Sequence, residues 1–231
     1  MTETSAAPVA EKSLFFFPKW FNKAWWVILP VALAGPPVFL TIAWFGFNHQ
    51  STHVGYAPKQ PVNYSHTIHA GQLGIDCRYC HTDVEKSGQA NIPPTETCMA
   101  CHSMVATGKG SLELIRESWN TKKPVEWVKV HKLPDFVYFN HSAHVNRGVG
   151  CVSCHGRVDQ MDVVVHEKPL SMAWCLDCHR NPEPHLRPLD QITNMTWKPK
   201  DTANETAESL GKTLRAQLKL NPSTDCSTCH R

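Results

Sequence analysis

The stretch Phe139 to His155, FNHSAHVNRGVGCVSCH, holds three histidines and two cysteines in seventeen residues. Its last five, Cys151-Val-Ser-Cys154-His155, have the spacing of a c-type haem attachment site. In such a site the two sulfurs form thioethers to the porphyrin and the adjoining imidazole ligates the iron. His141 and His144 are then surplus to the attachment itself and call for a second role.

All ten cysteines of the 231-residue chain fall in this pattern. The motifs are Cys77-Arg-Tyr-Cys80-His81, Cys98-Met-Ala-Cys101-His102, Cys151-Val-Ser-Cys154-His155, Cys175-Leu-Asp-Cys178-His179 and Cys226-Ser-Thr-Cys229-His230. A zinc site or a disulfide framework explains paired cysteines but gives no reason for a histidine directly after every second one. Five covalently bound haem c groups, with His81, His102, His155, His179 and His230 as proximal ligands, account for every cysteine.

The chain also repeats itself. Tyr64-Ser-His66-Thr-Ile-His69 stands before Cys77 as Phe139-Asn-His141-Ser-Ala-His144 stands before Cys151, the histidine pairs being 75 residues apart. A low-spin haem iron takes a second axial ligand. Two histidines three residues apart share one helical face and serve two different irons, so His66, His69, His141 and His144 are expected to cap four haems. His131, in the extended segment before the second pair, is the favoured fifth cap, with Met172, Met161, His166 and His185 as alternatives. His49 and His53 read as residues beside the membrane with no ligand role.

These motifs need elements to position them. Trp25 to Phe47 is an apolar run long enough to cross a bilayer, so the chain divides into a cytoplasmic segment 1–23, a transmembrane anchor 24–47 and a haem domain 48–231. Ala32-Leu-Ala34 followed by Gly35 resembles a signal-peptidase site, but the run continues well past it and an uncleaved anchor is preferred. Lys12, Lys19 and Lys23 before the run put the N-terminus in the cytoplasm and the haem domain outside the bacterial inner membrane. Pro30, Pro36 and Pro37 suggest a kinked span packed against protein.

Within the haem domain the modules are about 61–138, 139–200 and a truncated C-terminal segment 201–231. Helical patterning marks Ser111 to Trp119 and Thr202 to Leu220, where Leu210, Leu214 and Leu218 make a stripe expected to meet a haem or a partner. The predicted fold class is mainly α and irregular, with little regular structure beyond the haem modules and one transmembrane helix.

The net charge of +3 is offset once haem propionates are counted, so no nucleic-acid partner is expected. No phosphate-binding, nucleophile-elbow or zinc-protease motif is present, and no catalytic residue is assigned. Because imidazoles outnumber the axial positions, electron transfer is favoured over a multihaem reductase, which needs an open iron. A quinol dehydrogenase of the NapC/NrfH-like single-span type is a further alternative, although there the first haem motif follows the span more closely.

The segments QPVNYSHTIHAGQLGIDCRYCHTDVEKSGQANIPPTETCMACHSM, FVYFNHSAH and PLSMAWCLDCHRNPE resemble the pentahaem cytochrome c subunit (ActA) of bacterial alternative complex III. The paired histidines are similar to those of cytochromes c3 and c7, in which the first caps the adjacent haem and the second a different one. This resemblance implies partners: an iron–sulfur subunit, NrfD-type quinol-binding membrane subunits and a monohaem cytochrome c. It further implies that quinol is oxidised elsewhere in the complex and that this chain passes electrons to a periplasmic carrier or terminal oxidase.

Overall fold

The computed structural model describes residues 18–47, 53–199 and 206–230, and the chain divides into two units, Met1–Asn48 and His49–Arg231. The first unit contains α1, Phe21–Phe47. At 1.5 Å per residue its 27 residues span about 40 Å, more than the roughly 30 Å of bilayer hydrocarbon. The most apolar 18-residue window within Phe21–Gly46 has a mean hydropathy of 1.9, and apolar side chains project all round the helix, from Trp26 to Phe39 and Phe45. Length and apolarity of this kind suit a membrane anchor and an export signal alike. Pro30, Pro36 and Pro37 lie inside the helix, and the Thr41 hydroxyl donates to the Pro37 carbonyl (2.7 Å) within the same stretch.

The second unit is built from short helices: α2 Cys77–Cys80, α3 Thr95–His102, α4 Glu113–Thr121, α5 His141–Val145, α6 Cys151–His155, α7 Met172–Arg180, α8 Ala207–Gln217 and α9 Cys226–Cys229. A π-helical turn covers Thr67–Gln72, and single 3-10 turns cover Gly110–Leu112, Val158–Gln160, Glu183–His185 and Leu189–Gln191. Among the described residues, extended pairing is limited to two isolated bridges, Val137 with His230 and Val149 with Leu186. Helix starts follow local chemistry. Asp76, Asn140 and Ser171 each accept a backbone N–H of the turn they precede, and Thr206 and Ser209 form a reciprocal capping box at α8.

The apolar core is sparse. Among the described residues only Val62, Val84, Ile115, Val145, Leu186, Ile192 and Leu214 are buried apolar side chains, and Val84, Val145 and Ile192 form one cluster. So few cannot make the usual core of a domain of this length. Packing runs instead through close backbone contacts. The π turn lies against Val158–Gln160, where a Cβ on Gly71 would collide with the Asp159 carbonyl. α8 lies against Glu183–His185, where a Cβ on Gly211 would run into the Glu183 backbone. The leucine stripe of α8, expected to meet a haem or a partner, thus belongs to a helix docked on its own chain, with Leu214 buried and Arg215 paired to Glu183 (2.5 Å).

Candidate haem sites

Each CxxCH motif sits on a helical turn: the first on α2, the second on α3, the third on α6, the fourth on α7 and the fifth on α9. A helical turn puts the two sulfurs, three residues apart, and the imidazole four residues after the first sulfur on one side. None of the ten cysteines is in a disulfide, so every sulfur is available for a thioether.

The proximal imidazoles are oriented by their Nδ1 atoms. His81 Nδ1 bonds the Asn91 carbonyl (2.7 Å), His102 that of Val105 (3.1 Å), His179 that of Ser223 (2.6 Å) and His230 that of Phe136 (3.2 Å). A carbonyl only accepts, so Nδ1 carries the proton and Nε2 keeps its lone pair for a metal. His155 is the exception: its Nδ1 faces His131 Nε2 at 3.4 Å.

The paired histidines show the same preparation. His69 Nδ1 bonds the Ser65 carbonyl (2.8 Å), His144 Nδ1 that of Asn140 (2.7 Å) and His141 Nδ1 that of Gly88 (2.9 Å). His66 Nδ1 is buried without a partner. The aromatic residue ahead of each pair repeats its role. Tyr64 stacks on His69 (centroids 4.4 Å, 21°) and stands edge-on to His66 (4.8 Å, 85°). Phe139 stacks on His144 (4.5 Å, 27°) and stands edge-on to His141 (4.8 Å, 87°).

Two imidazoles bound on opposite sides of one iron at about 2 Å would have centroids roughly 6 Å apart. His69 faces His102 at 6.1 Å, His141 faces His155 at 6.3 Å and His144 faces His179 at 6.1 Å. His66 lies within electrostatic reach of His81. In the second module, therefore, the first histidine meets the first CxxCH imidazole and the second histidine the second, and in the first module the second histidine meets the second CxxCH imidazole. Spacing alone is not the criterion: His53 and His166 are 6.4 Å apart, and neither belongs to a CxxCH motif.

His131 stands beside His155 (centroids 4.4 Å) and His166 (5.1 Å); His230 has the ring of Phe136 as its neighbour at 5.7 Å. His166 is 1% exposed, with Nδ1 on the His53 carbonyl (3.0 Å) and Nε2 buried without a partner. Met172 opens α7 and is largely exposed. The Met161 carbonyl accepts the N–H groups of His66 and Thr67, which ties the first histidine pair to the Val158–Gln160 turn. His185 is exposed at the end of its 3-10 turn, and His49 lies outside the described residues.

Electrostatics agree with ligation by neutral imidazole. Burial pushes His66 down to about 4, reinforced by His81 and His69, and pushes His155 down to about 3, reinforced by His131. His144 is lowered by burial as well.

The residues fit haem c on these grounds: free sulfur pairs, imidazoles with Nδ1 held and Nε2 open, and facing rings at an axial spacing. An open cleft beside Cys77, lined by Ala70, Gly74, Ile75 and Met195, accords with a bulky planar group there.

Attachment sites lie close to one another in pairs. Cys80 and Cys98 interact electrostatically, Cys77 and Cys151 are within hydrogen-bonding reach, Cys154 senses Cys178 and Cys175, and Cys175 senses Cys229. These contacts link the second motif to the first, the first to the third, the third to the fourth and the fourth to the fifth. Sequence reasoning missed the orienting carbonyls of Gly88, Asn91, Val105, Phe136 and Ser223, because a backbone carbonyl carries no residue-type signal.

Residues 137–231 match the family described as cytochrome c7 and related cytochrome c. Over 123 residues, 52% of this chain, the sequence is 32% identical to the multiheme cytochrome c subunit of menaquinone reductase from Nitratidesulfovibrio vulgaris. That stretch covers 56% of the relative, so the chain spans about half the length of the curated protein it matches. These similarities relate the chain to multihaem cytochromes c, for which covalently bound haem c is implied.

Proposed function

We propose that this chain is an electron-transfer subunit that holds five c-type haems, anchored by α1 in the bacterial inner membrane with residues 48–231 on the outer side. It serves a quinol-oxidising complex of the alternative complex III type. Haem c, when bound, supplies a one-electron iron couple. The chain's own part is to attach it through ten cysteines, to ligate it with His81, His102, His155, His179 and His230, and to cap it with His66, His69, His141 and His144.

The observation that carries this reading is the facing of three paired-motif imidazoles on three CxxCH imidazoles at 6.1–6.3 Å. An iron capped on both sides has no position for substrate, which favours a relay over a reductase. The pairwise closeness of the attachment sites supports such a relay, with the second and the fifth motif as its proposed ends. Partners proposed from the sequence resemblance are an iron–sulfur subunit, NrfD-type membrane subunits, a monohaem cytochrome c and a periplasmic carrier or oxidase.

A second reading concerns direction. The relative's name, menaquinone reductase, favours electrons moving through the cytochrome towards menaquinone in that protein. One experiment tests both readings: the purified complex, with its haems counted by pyridine haemochrome and peptide mass spectrometry, is mixed anaerobically with menaquinol or with a reduced periplasmic cytochrome. Five low-spin haems reduced by quinol support the proposal. Reduction only by the cytochrome reverses the direction, and a high-spin haem in this chain that binds carbon monoxide overturns the relay.

A further inference from the structure

Four of the five CxxCH histidines give their Nδ1 proton to a backbone carbonyl, at 2.6–3.2 Å. The fifth, His155, meets a side chain instead, His131 Nε2 at 3.4 Å. The other face of the site is already settled, because the His155 ring lies parallel to His141 at 6.3 Å and 7°. His131 therefore approaches the Nδ1 edge of His155, away from the metal side.

We propose that His131 is a positioning residue for the third haem site: it accepts the Nδ1 proton of His155 and so sets the basicity of that one iron ligand by a replaceable side chain. With Nε2 reserved for iron, a neutral His155 has its proton on Nδ1 and is the donor, and His131 Nε2 is the acceptor. An acceptor at Nδ1 gives the ligand imidazolate character, which favours ferric over ferrous iron. A backbone carbonyl does this at a strength the sequence cannot easily change, whereas an imidazole does it through a residue that substitution can remove.

His131 is held for the task. It is half-buried in the chain segment leading to the second histidine pair, and its ring stands edge-on to His155 (4.4 Å, 82°). On its other side lies the ring of His166 (5.1 Å, 67°), itself 1% exposed and pinned through Nδ1 to the His53 carbonyl. The rings of His131 and His166 thus run outward, edge to face, from one proposed iron ligand. His230 has the ring of Phe136 beside it at 5.7 Å, whereas His131 has those of His155 and His166.

The inference rests on His155 being an iron ligand, as proposed above. A wild-type complex that lacks haem on Cys151 and Cys154 by peptide mass spectrometry would defeat that reading without any variant being made.

With haem present there, His131→Leu and His131→Gln are compared in the purified complex by spectroelectrochemical titration and low-temperature EPR. His131→Leu raises the midpoint of one haem, by about tenfold in the ratio of ferrous to ferric iron at fixed potential or about 59 mV for one electron. The other haems and the low-spin count stay unchanged. His131→Gln, whose side-chain oxygen can accept the same proton, keeps the midpoint close to that of wild type. Unchanged midpoints in His131→Leu overturn the proposal. Conversion of one haem to a high-spin signal also overturns it, by making His131 an axial ligand. Where a variant fails to mature, a structure of the haem-loaded wild-type complex decides: His131 Nε2 on His155 Nδ1 supports the role, and His131 on an iron ends it.

Discussion

His141 and His155 have their ring planes 7° apart and their centroids 6.3 Å apart. One ring comes from the histidine pair on α5 and the other from the attachment motif on α6, and the His141 ring is turned into place by a carbonyl of the first module, Gly88. Parallel axial imidazole planes make the two out-of-plane π orbitals (dxz and dyz) of a low-spin ferric iron unequal. The third haem should accordingly show a rhombic EPR signal, and His141→Ala should remove that signal and produce a high-spin, carbon monoxide-binding haem. Loss of a different signal would reassign the pair.

The rings of His69 and His102 are instead crossed at 67°. The second haem is expected to give the strongly anisotropic low-spin signal of nearly perpendicular axial imidazoles. Powder EPR of the oxidised complex and of His69→Ala checks this, and a rhombic signal lost in that variant would contradict it.

Phe139 stacks on His144 and buttresses His141, so Phe139→Ala loosens two capping imidazoles at once. Aromatic pairs of this kind are worth about 0.5–1.5 kcal/mol each beyond area burial. The variant should lose about 1–3 kcal/mol of stability, with partial high-spin character in the third and fourth haems. Phe139→Tyr, the residue type found at position 64 of the first module, should behave like wild type. Thermal unfolding followed in the visible region measures both variants.

Gly211 permits α8 to touch the Glu183 backbone. Gly211→Val overpacks that contact and should cost about 1–3 kcal/mol, detectable as a lower Tm and faster proteolysis around Glu183 and Arg215. If Gly211→Val left both unchanged, the docking of α8 on the 183–185 turn would be wrong.

Asp76 caps α2 through the Arg78 N–H (2.8 Å) and pairs with the Arg78 guanidinium. The hydrogen bond from Arg78, aided by Thr193, holds its carboxyl down at about 2, against an ordinary 3.8. A depressed carboxyl stabilises the folded state fully above its ordinary value, and that contribution is lost as the pH falls towards about 2. Stability should therefore decline between about pH 4 and about pH 2, and Asp76→Asn should flatten the decline within that window. Denaturant titrations of both proteins across the window measure the difference.

The sequence by itself determined the motifs on which the haem proposal rests. Thioether attachment is covalent and local, so Cys-x-x-Cys-His is legible wherever it occurs, and five such motifs with no cysteine left over require no folding argument. The histidine pairs were legible for a related reason. Three-residue spacing puts both rings on one side of a turn, and duplication with an aromatic residue two positions ahead separates the pattern from chance. The apolar run that became α1 was legible from composition alone.

What only the tertiary structure decided is which ring faces which. Expected from sequence as the fifth cap, His131 has its Nε2 3.4 Å from His155 Nδ1 in the fold, a neighbour that spacing along the chain does not specify. The carbonyls that turn the other imidazoles belong to residues of no particular type, and the contacts between attachment sites do not follow their order in the chain. Ring facing is set by long-range packing, such as the Gly71 and Gly211 backbone contacts. A side chain's type reveals what it can bind, whereas its partner depends on where the rest of the chain leaves room.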